Sequence, residues 1–156
     1  MKSALVLQVL RPWLGVILAT AEIEHVDART LAAIVFLESR GQPQLMSKEK
    51  NGTCSVGLGM VNVADCDPQR MRRLQDPVYN LRVSAQMLKA NQKWCRRHPT
   101  EWRCRAGERS FRGGGAVNCY AGRTKDYAAR VQAVRRLLPP PDTAVWRNHR
   151  HSPTKE

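Results

Sequence analysis

Residues 28–40 read as a helix by every local signal, and that helix carries an acid on the face meant for burial. Leu31, Ile34, Val35 and Glu38 stand at i, i+3, i+4 and i+7, the spacing that gathers side chains on one side of an α-helix. Asp27 is placed to cap the N-terminus, and Gly41 with Pro43 closes the C-terminus. The same period returns over residues 76–94 through Val78, Leu81, Ala85 and Leu88, and over 124–138 through Tyr127, Val131, Val134 and Leu138. Residues 116–120 read as a short buried helix. Residues 45–67, with Lys50-Asn51-Gly52 and a Gly-rich run, read as loop with short extended or helical turns. A chain of 156 residues that is 42% apolar can bury one core and hardly two. The expectation is one mainly α-helical domain with a small loop-rich or short-strand lobe.

Charge narrows the partners. The chain holds 26 Lys and Arg against 13 Asp and Glu, a net +13, and most of the excess lies after Trp94. Such a surface draws polyanions: nucleic acid, anionic lipid or the carboxylate-bearing bacterial cell wall. In the basic loop over 96–115, Trp102 and Phe111 alternate with Arg96, Arg97, Arg103, Arg105, Arg109 and Arg112. That pattern suits phosphate contacts and base stacking and keeps a nucleic-acid-binding module open as a rival reading. No recognised nucleic-acid motif accompanies it.

Five cysteines, Cys54, Cys66, Cys95, Cys104 and Cys119, form no Cys-x-x-Cys, and no His sits at ligand spacing from them, so neither metal nor cofactor is expected. Two disulfides and one free thiol is the simplest oxidised reading, with Cys95–Cys104 the most local pair. Five reduced, mostly buried thiols is the alternative. At the N-terminus, Lys2 and Arg11 bracket an apolar run, residues 12–19 form a second, and Ala19-Thr20-Ala21 supplies a small-x-small pattern before Glu22. Residues 1–21 thus read as a signal peptide cleaved near Ala21, with Arg11 as its flaw. The alternative is a retained amphipathic helix packed on the domain. No run of about eighteen uninterrupted apolar residues occurs, so no membrane span is expected in the mature chain. The domain is expected over 22–138, stopped by Pro139-Pro140-Pro141, with a polar, basic, disordered tail over 139–156.

A carboxyl group at position 38 loses solvation on an apolar face and meets the negative end of the helix dipole. Both effects favour its protonated form. An acid still protonated near neutral pH is what glycosidic cleavage asks of its proton donor. A Glu paired with one of the many arginines is the plainer alternative.

The surrounding residues sharpen this. Val26-Asp27 followed by the helix ending in Glu38-Ser39 resembles the first motif of the lytic transglycosylases, a goose-lysozyme-like family acting on peptidoglycan. Ser55-Val56-Gly57-Leu58-Gly59-Met60-Val61-Asn62 is similar to the second motif, Gly-Leu-x-Gln followed by an apolar residue and Asn or Pro. Asp76-Pro77-Val78-Tyr79-Asn80-Leu81 resembles the third, and Ala116-Val117-Asn118-Cys119-Tyr120-Ala121-Gly122, followed by Tyr127 and Val131, the last. Together the four cover roughly residues 26–134 and look closest to the small specialised enzymes of conjugation, type IV or type III secretion, and phages. Two departures stand out: Met60 occupies the usual Gln position, and the last motif is one residue short around Tyr120.

The resemblance implies a lysozyme-like fold and an exported, periplasmic, monomeric enzyme. Its partners would be peptidoglycan glycan strands and components of a cell-envelope secretion or conjugation apparatus. Glu38 would be the catalytic acid. Ser39, Ser55, Gly57, Leu58, Met60, Asn62 and Tyr120 would line the substrate site, Tyr120 orienting Glu38 or bonding the N-acetyl group. Asp65 or Asp67 could instead position a water. The basic loop would add long-range attraction to the wall. A non-catalytic wall-binding assembly protein of the same fold is the second rival, and Met60 is the feature in its favour.

Overall fold

The computed structural model describes residues 2–105, 114–121 and 127–147. In chain order these form α1 (Ser3–Leu10), a 3-10 turn (Arg11–Trp13), α2 (Leu14–Glu24), α3 (Ala28–Ser39), β1 (Met46–Lys48), β2 (Cys54–Val56), β3 (Val61–Val63), α4 (Pro68–Leu74), α5 (Pro77–Arg97), α6 (Gly114–Ala121), α7 (Tyr127–Leu137) and α8 (Ala144–Arg147). The molecule is mainly α-helical with one small antiparallel sheet, as expected of a lysozyme-like domain.

Helix starts follow the local chemistry. Asp27 accepts hydrogen bonds from the Thr30 amide at 2.8 Å and the Thr30 hydroxyl at 2.6 Å. Asp67 and Asp76 cap α4 and α5 through the amides of Arg70 and Tyr79, at 3.0 and 2.8 Å. Each of those two caps is followed by a proline, whose missing N–H costs nothing in a first turn. Helix α3 ends one residue before the expected glycine, because Arg40 itself turns left-handed at φ 53°.

Helix α3 lies at the centre. Leu31, Ala32, Ala33, Ile34, Val35 and Phe36 are all buried, and α1, α2 and α7 pack around them. Helices α3 and α7 run antiparallel and are tied at both ends. At the start of α3, Asp27 takes the Arg135 guanidinium from the end of α7 at 2.8 Å. At its end, Glu38 meets Tyr127 from the start of α7.

Residues 45–67, expected as loop with short extended or helical turns, contain the sheet, in order β1-β2-β3. Val56, Val61 and Val63 pack with Leu74 of α4 into a second, smaller core. The central register row, Ser47, Ser55 and Asn62, belongs to the other face, since side chains alternate along each strand. A disulfide joins Cys54 to Cys66 and another joins Cys95 to Cys104, leaving Cys119 free.

Both chain ends take part in the core. Val6, Leu10, Leu14, Ile17, Leu18 and Ala21, inside the segment read as a signal peptide, are buried among α3, α5 and α7 side chains. The run Ser3–Glu24 is also long and apolar enough to cross a membrane by length and composition. Arg11 and the polar residues still interrupt it, so it holds no uninterrupted apolar stretch of about eighteen residues. At the other end, the proline run stops α7 as expected, yet the chain then folds back. Trp146 is fully buried and its indole N–H donates to the Pro139 carbonyl at 3.0 Å. Residues 139–147 are therefore ordered where a disordered tail was expected; residues 148–156 lie outside the described ones.

Candidate active site

Helix α3 delivers Glu38 half-buried at its C-terminal end. Burial raises the carboxyl pKa above its ordinary value of 4.5. The Tyr127 hydroxyl bond and the positive charge of Arg130 work against that rise, and the negative charge of Glu49 adds to it. The balance favours the protonated acid. The Tyr127 hydroxyl donates a short hydrogen bond to Glu38 Oε1. Tyr127 is itself buried, and burial together with the Glu38 charge holds its phenol protonated and far above its usual range. It is thus a permanent donor. With Oε1 occupied, Oε2 is the oxygen left to carry and transfer the proton.

Tyr127 was read as a core position of its helix and as part of the last motif, with no role assigned on the acid. Tyr120, expected to orient the acid or bond the N-acetyl group, feels the Glu38 charge, and its hydroxyl donates to the Gly59 carbonyl at 2.6 Å. Burial keeps that phenol protonated too. Tyr120 lies near the end of α6, and Asn118, buried two residues earlier, accepts from the Ala128 amide at 2.9 Å and so fixes the start of α7. Tyr127 follows from that anchorage. Gly122 and residues 123–126 lie outside the described residues.

The second motif is a tight turn gripped from three sides. Gly57 has φ +80°, and a side chain there would run into the Leu74 carbonyl at 2.5 Å and the Asn80 amide. Gly59 is pressed against the Tyr120 hydroxyl, where a Cβ would stand 2.6 Å away. Asn80, fully buried, accepts from the Gly59 amide and donates to the Val56 and Leu74 carbonyls, each at 2.8 Å. The third and last motifs therefore exist largely to hold the second. Leu58 is a fully buried core residue, so it supports the turn rather than touching a sugar. Met60 sits half-buried in a left-handed conformation, φ 47°, closing the turn through its amide to the Gly57 carbonyl at 3.0 Å.

The other expected residues divide. Ser39 satisfies the helix end, donating to the Val35 carbonyl and accepting from the Gly41 amide, both at 3.2 Å. Ser55 donates to Glu49 Oε1 at 3.1 Å, and the exposed Asn62 donates to Thr53 Oγ1 at 2.8 Å. Glu49, at the end of β1, is the second carboxylate felt by Glu38 and had no sequence signal. Asp67 is spent as a helix cap and Asp65 is exposed. Of the basic loop, Arg103, over the Trp102 ring, and Arg105 are exposed, while Arg109, Phe111 and Arg112 lie outside the described residues. Among the described residues, metal-ligating side chains converge only at Cys95, Cys104 and Cys119, and two of those sulfurs are bonded to each other.

No curated protein and no solved structure gives a significant match to this chain. The family model described as "Transglycosylase SLT domain" matches residues 15–134, a span that begins inside the N-terminal core helix and takes in Glu38, the gripped turn, Tyr120 and Tyr127. The chain belongs to the transglycosylase SLT domain family, whose members are lytic transglycosylases acting on peptidoglycan.

Proposed function

We propose that Glu38 is the single acid and base of a peptidoglycan lytic transglycosylase. The observation that carries this is a half-buried, protonation-prone carboxyl whose Oε1 is held by a tyrosine that cannot itself ionise near neutral pH. Oε2 protonates the oxygen bridging N-acetylmuramic acid and N-acetylglucosamine, and positive charge develops on the muramyl ring. The muramyl N-acetyl carbonyl is placed to share that charge. Glu38, now a carboxylate, is stabilised by the Tyr127 hydroxyl and the field of Arg130, and takes the proton from the sugar's own C6 hydroxyl. Ring closure gives a 1,6-anhydro end, and no water is consumed. Ser55, Asn62 and Met60 border the glycan, while Gly57 approaches it through backbone.

The same reading has the protein exported to the periplasm as a monomer that opens the wall locally for a secretion or conjugation machine. Supporting it are the location of the substrate, two disulfides, the apolar N-terminal segment and the likeness of its motifs to the small specialised enzymes. The test is digestion of purified sacculi by wild type and Glu38→Gln, with released muropeptides weighed by mass spectrometry. Wild type is expected to give anhydro-muramyl ends, one water lighter than hydrolysed ends. Glu38→Gln should bind sacculi and lose about 10²–10⁴-fold in cleavage. Reducing ends would point to a water nucleophile near Glu49. An equally active Gln variant would remove Glu38 from the mechanism, and binding without cleavage by wild type would leave a wall-binding assembly protein.

A further inference from the structure

The free thiol of Cys119 does not stand alone. Its Sγ lies 3.7 Å from Cys95 Sγ, and Cys95 is already bonded to Cys104. All three sulfurs fall within 4.8 Å of one another, and all three residues are only partly buried. A nucleophile and its electrophile are thus in van der Waals contact at a surface that small reagents reach. Cys95 sits near the end of α5 and Cys119 on α6, and these two helices pack together.

We propose that Cys95, Cys104 and Cys119 form a disulfide-exchange site in which Cys95 alternates between Cys104 and Cys119. The Cys119 thiolate forms a bond to Cys95 Sγ; the Cys95–Cys104 bond breaks, its electron pair leaves on Cys104 Sγ, and Cys104 takes up the proton that Cys119 lost. One disulfide and one thiol stand on each side, so the step needs neither oxidant nor reductant. Exchange converts a bridge closing nine residues, local to the end of α5, into one spanning 24 residues that staples α6 to α5. Helix α6 carries Tyr120, whose hydroxyl holds the Gly59 turn. The alternate bridge would thus fix the helix that supports the second motif. Burial raises the Cys119 thiol, the nearby Arg103 charge opposes this and Glu101 adds to it, so exchange is best followed in mildly alkaline buffer.

The native oxidised protein is incubated there, quenched with acid, labelled with N-ethylmaleimide and digested without reduction. Peptides joined through Cys95–Cys119 are expected beside those joined through Cys95–Cys104. Label on Cys104 should lie within about tenfold of that on Cys119, since one S–S bond replaces another. Label on Cys119 alone would overturn the proposal. Bridges to Cys54 or Cys66 would overturn it equally, since they would mean general shuffling. In a second measurement, Cys104→Ser is exposed to oxidised glutathione. A Cys95–Cys119 bridge is expected, and two thiols or two glutathione adducts would contradict the assigned proximity. Should that variant fail to fold, the wild-type map decides alone.

Discussion

The Glu38 pKa is raised because burial outweighs two opposing influences, and one of them, the Tyr127 hydroxyl, can be deleted as a single atom. Removing the Tyr127 hydroxyl deletes a bond that favours the carboxylate, so Tyr127→Phe should raise the Glu38 pKa further. The alkaline limb of the pH–rate profile, where a general acid loses its proton, should move to higher pH. Cleavage at the optimum should fall about 10–100-fold, the worth of a hydrogen bond to a charged group at about 1.5–3 kcal/mol. Tyr120→Phe is the control: it touches the Gly59 carbonyl rather than Glu38, and its pH limb should stay in place. A limb that moves with Tyr120→Phe and stays with Tyr127→Phe would return the orienting role to Tyr120. Stability carries the same signature. A carboxyl whose folded pKa is raised gives up its proton more readily when unfolded, so folding loses free energy as pH climbs from its ordinary 4.5 through the raised value. Glu38→Gln does not titrate. It should therefore unfold at higher urea than wild type near neutral pH, and the gap should close below about pH 4.

At the scale of elements, the molecule is a set of motifs that hold one another. Asn80 of α5 makes three bonds into the turn between β2 and β3, all out of reach of solvent. Asn80→Ala would strand the Gly59 amide and two carbonyls at about 1–3 kcal/mol each. The expected loss is about 3 kcal/mol or more, read as a lower urea midpoint. Asn80→Asp keeps an acceptor for Gly59 and loses both donations, and it should fall between. Equal stability of all three proteins would mean the turn stands without the clasp. How much of this was legible depends on range. Helices α3, α5 and α7 were readable from apolar period, and the start of α3 from its Asp27 cap, because those signals lie within a dozen residues. The sheet was readable only as a loop-rich or short-strand lobe: its strands are three residues each, too short for alternation to register, and their order rests on pairing and on Leu74 beneath them. Helix α4, opened by Asp67-Pro68, was hidden because its exposed face is nearly all polar. Tyr127 was readable as buried, but its meeting with Glu38 spans 89 residues and is set by Arg135 on Asp27 and by Asn118 on Ala128, which no local pattern announces.

Taken whole, the molecule closes its core with its own two ends. From sequence, residues 139–156 read as a disordered tail and residues 1–21 as a signal peptide or a retained helix packed on the domain, since a proline run and an apolar leader-like segment are the usual marks of chain ends. Local composition cannot distinguish a leader from a core helix, because both are short, apolar and flanked by charge. Packing can. Val6, Leu10, Leu14, Ile17 and Leu18 are each at most 4% exposed, Trp13 donates to the Gly41 carbonyl at 2.9 Å, and Ser3 to the Leu137 carbonyl at 2.8 Å. Full burial of such a side chain contributes about 1.5–3 kcal/mol, so the five together are worth on the order of 10 kcal/mol, comparable with the whole stability of an ordinary domain at about 5–15 kcal/mol. A chain beginning at Glu22 should therefore lose the cooperative urea transition that the full chain shows, and with it the near-ultraviolet signal of packed aromatics such as Trp146, which lies against α2. Sequencing the N-terminus of the exported protein decides between cleavage near Ala21 and retention of the segment containing Leu10 and Ile17. A truncated chain that melts cooperatively within a few degrees of the full one would show that the remaining helices close over the vacated surface, and that residues 1–21 can leave as a signal peptide.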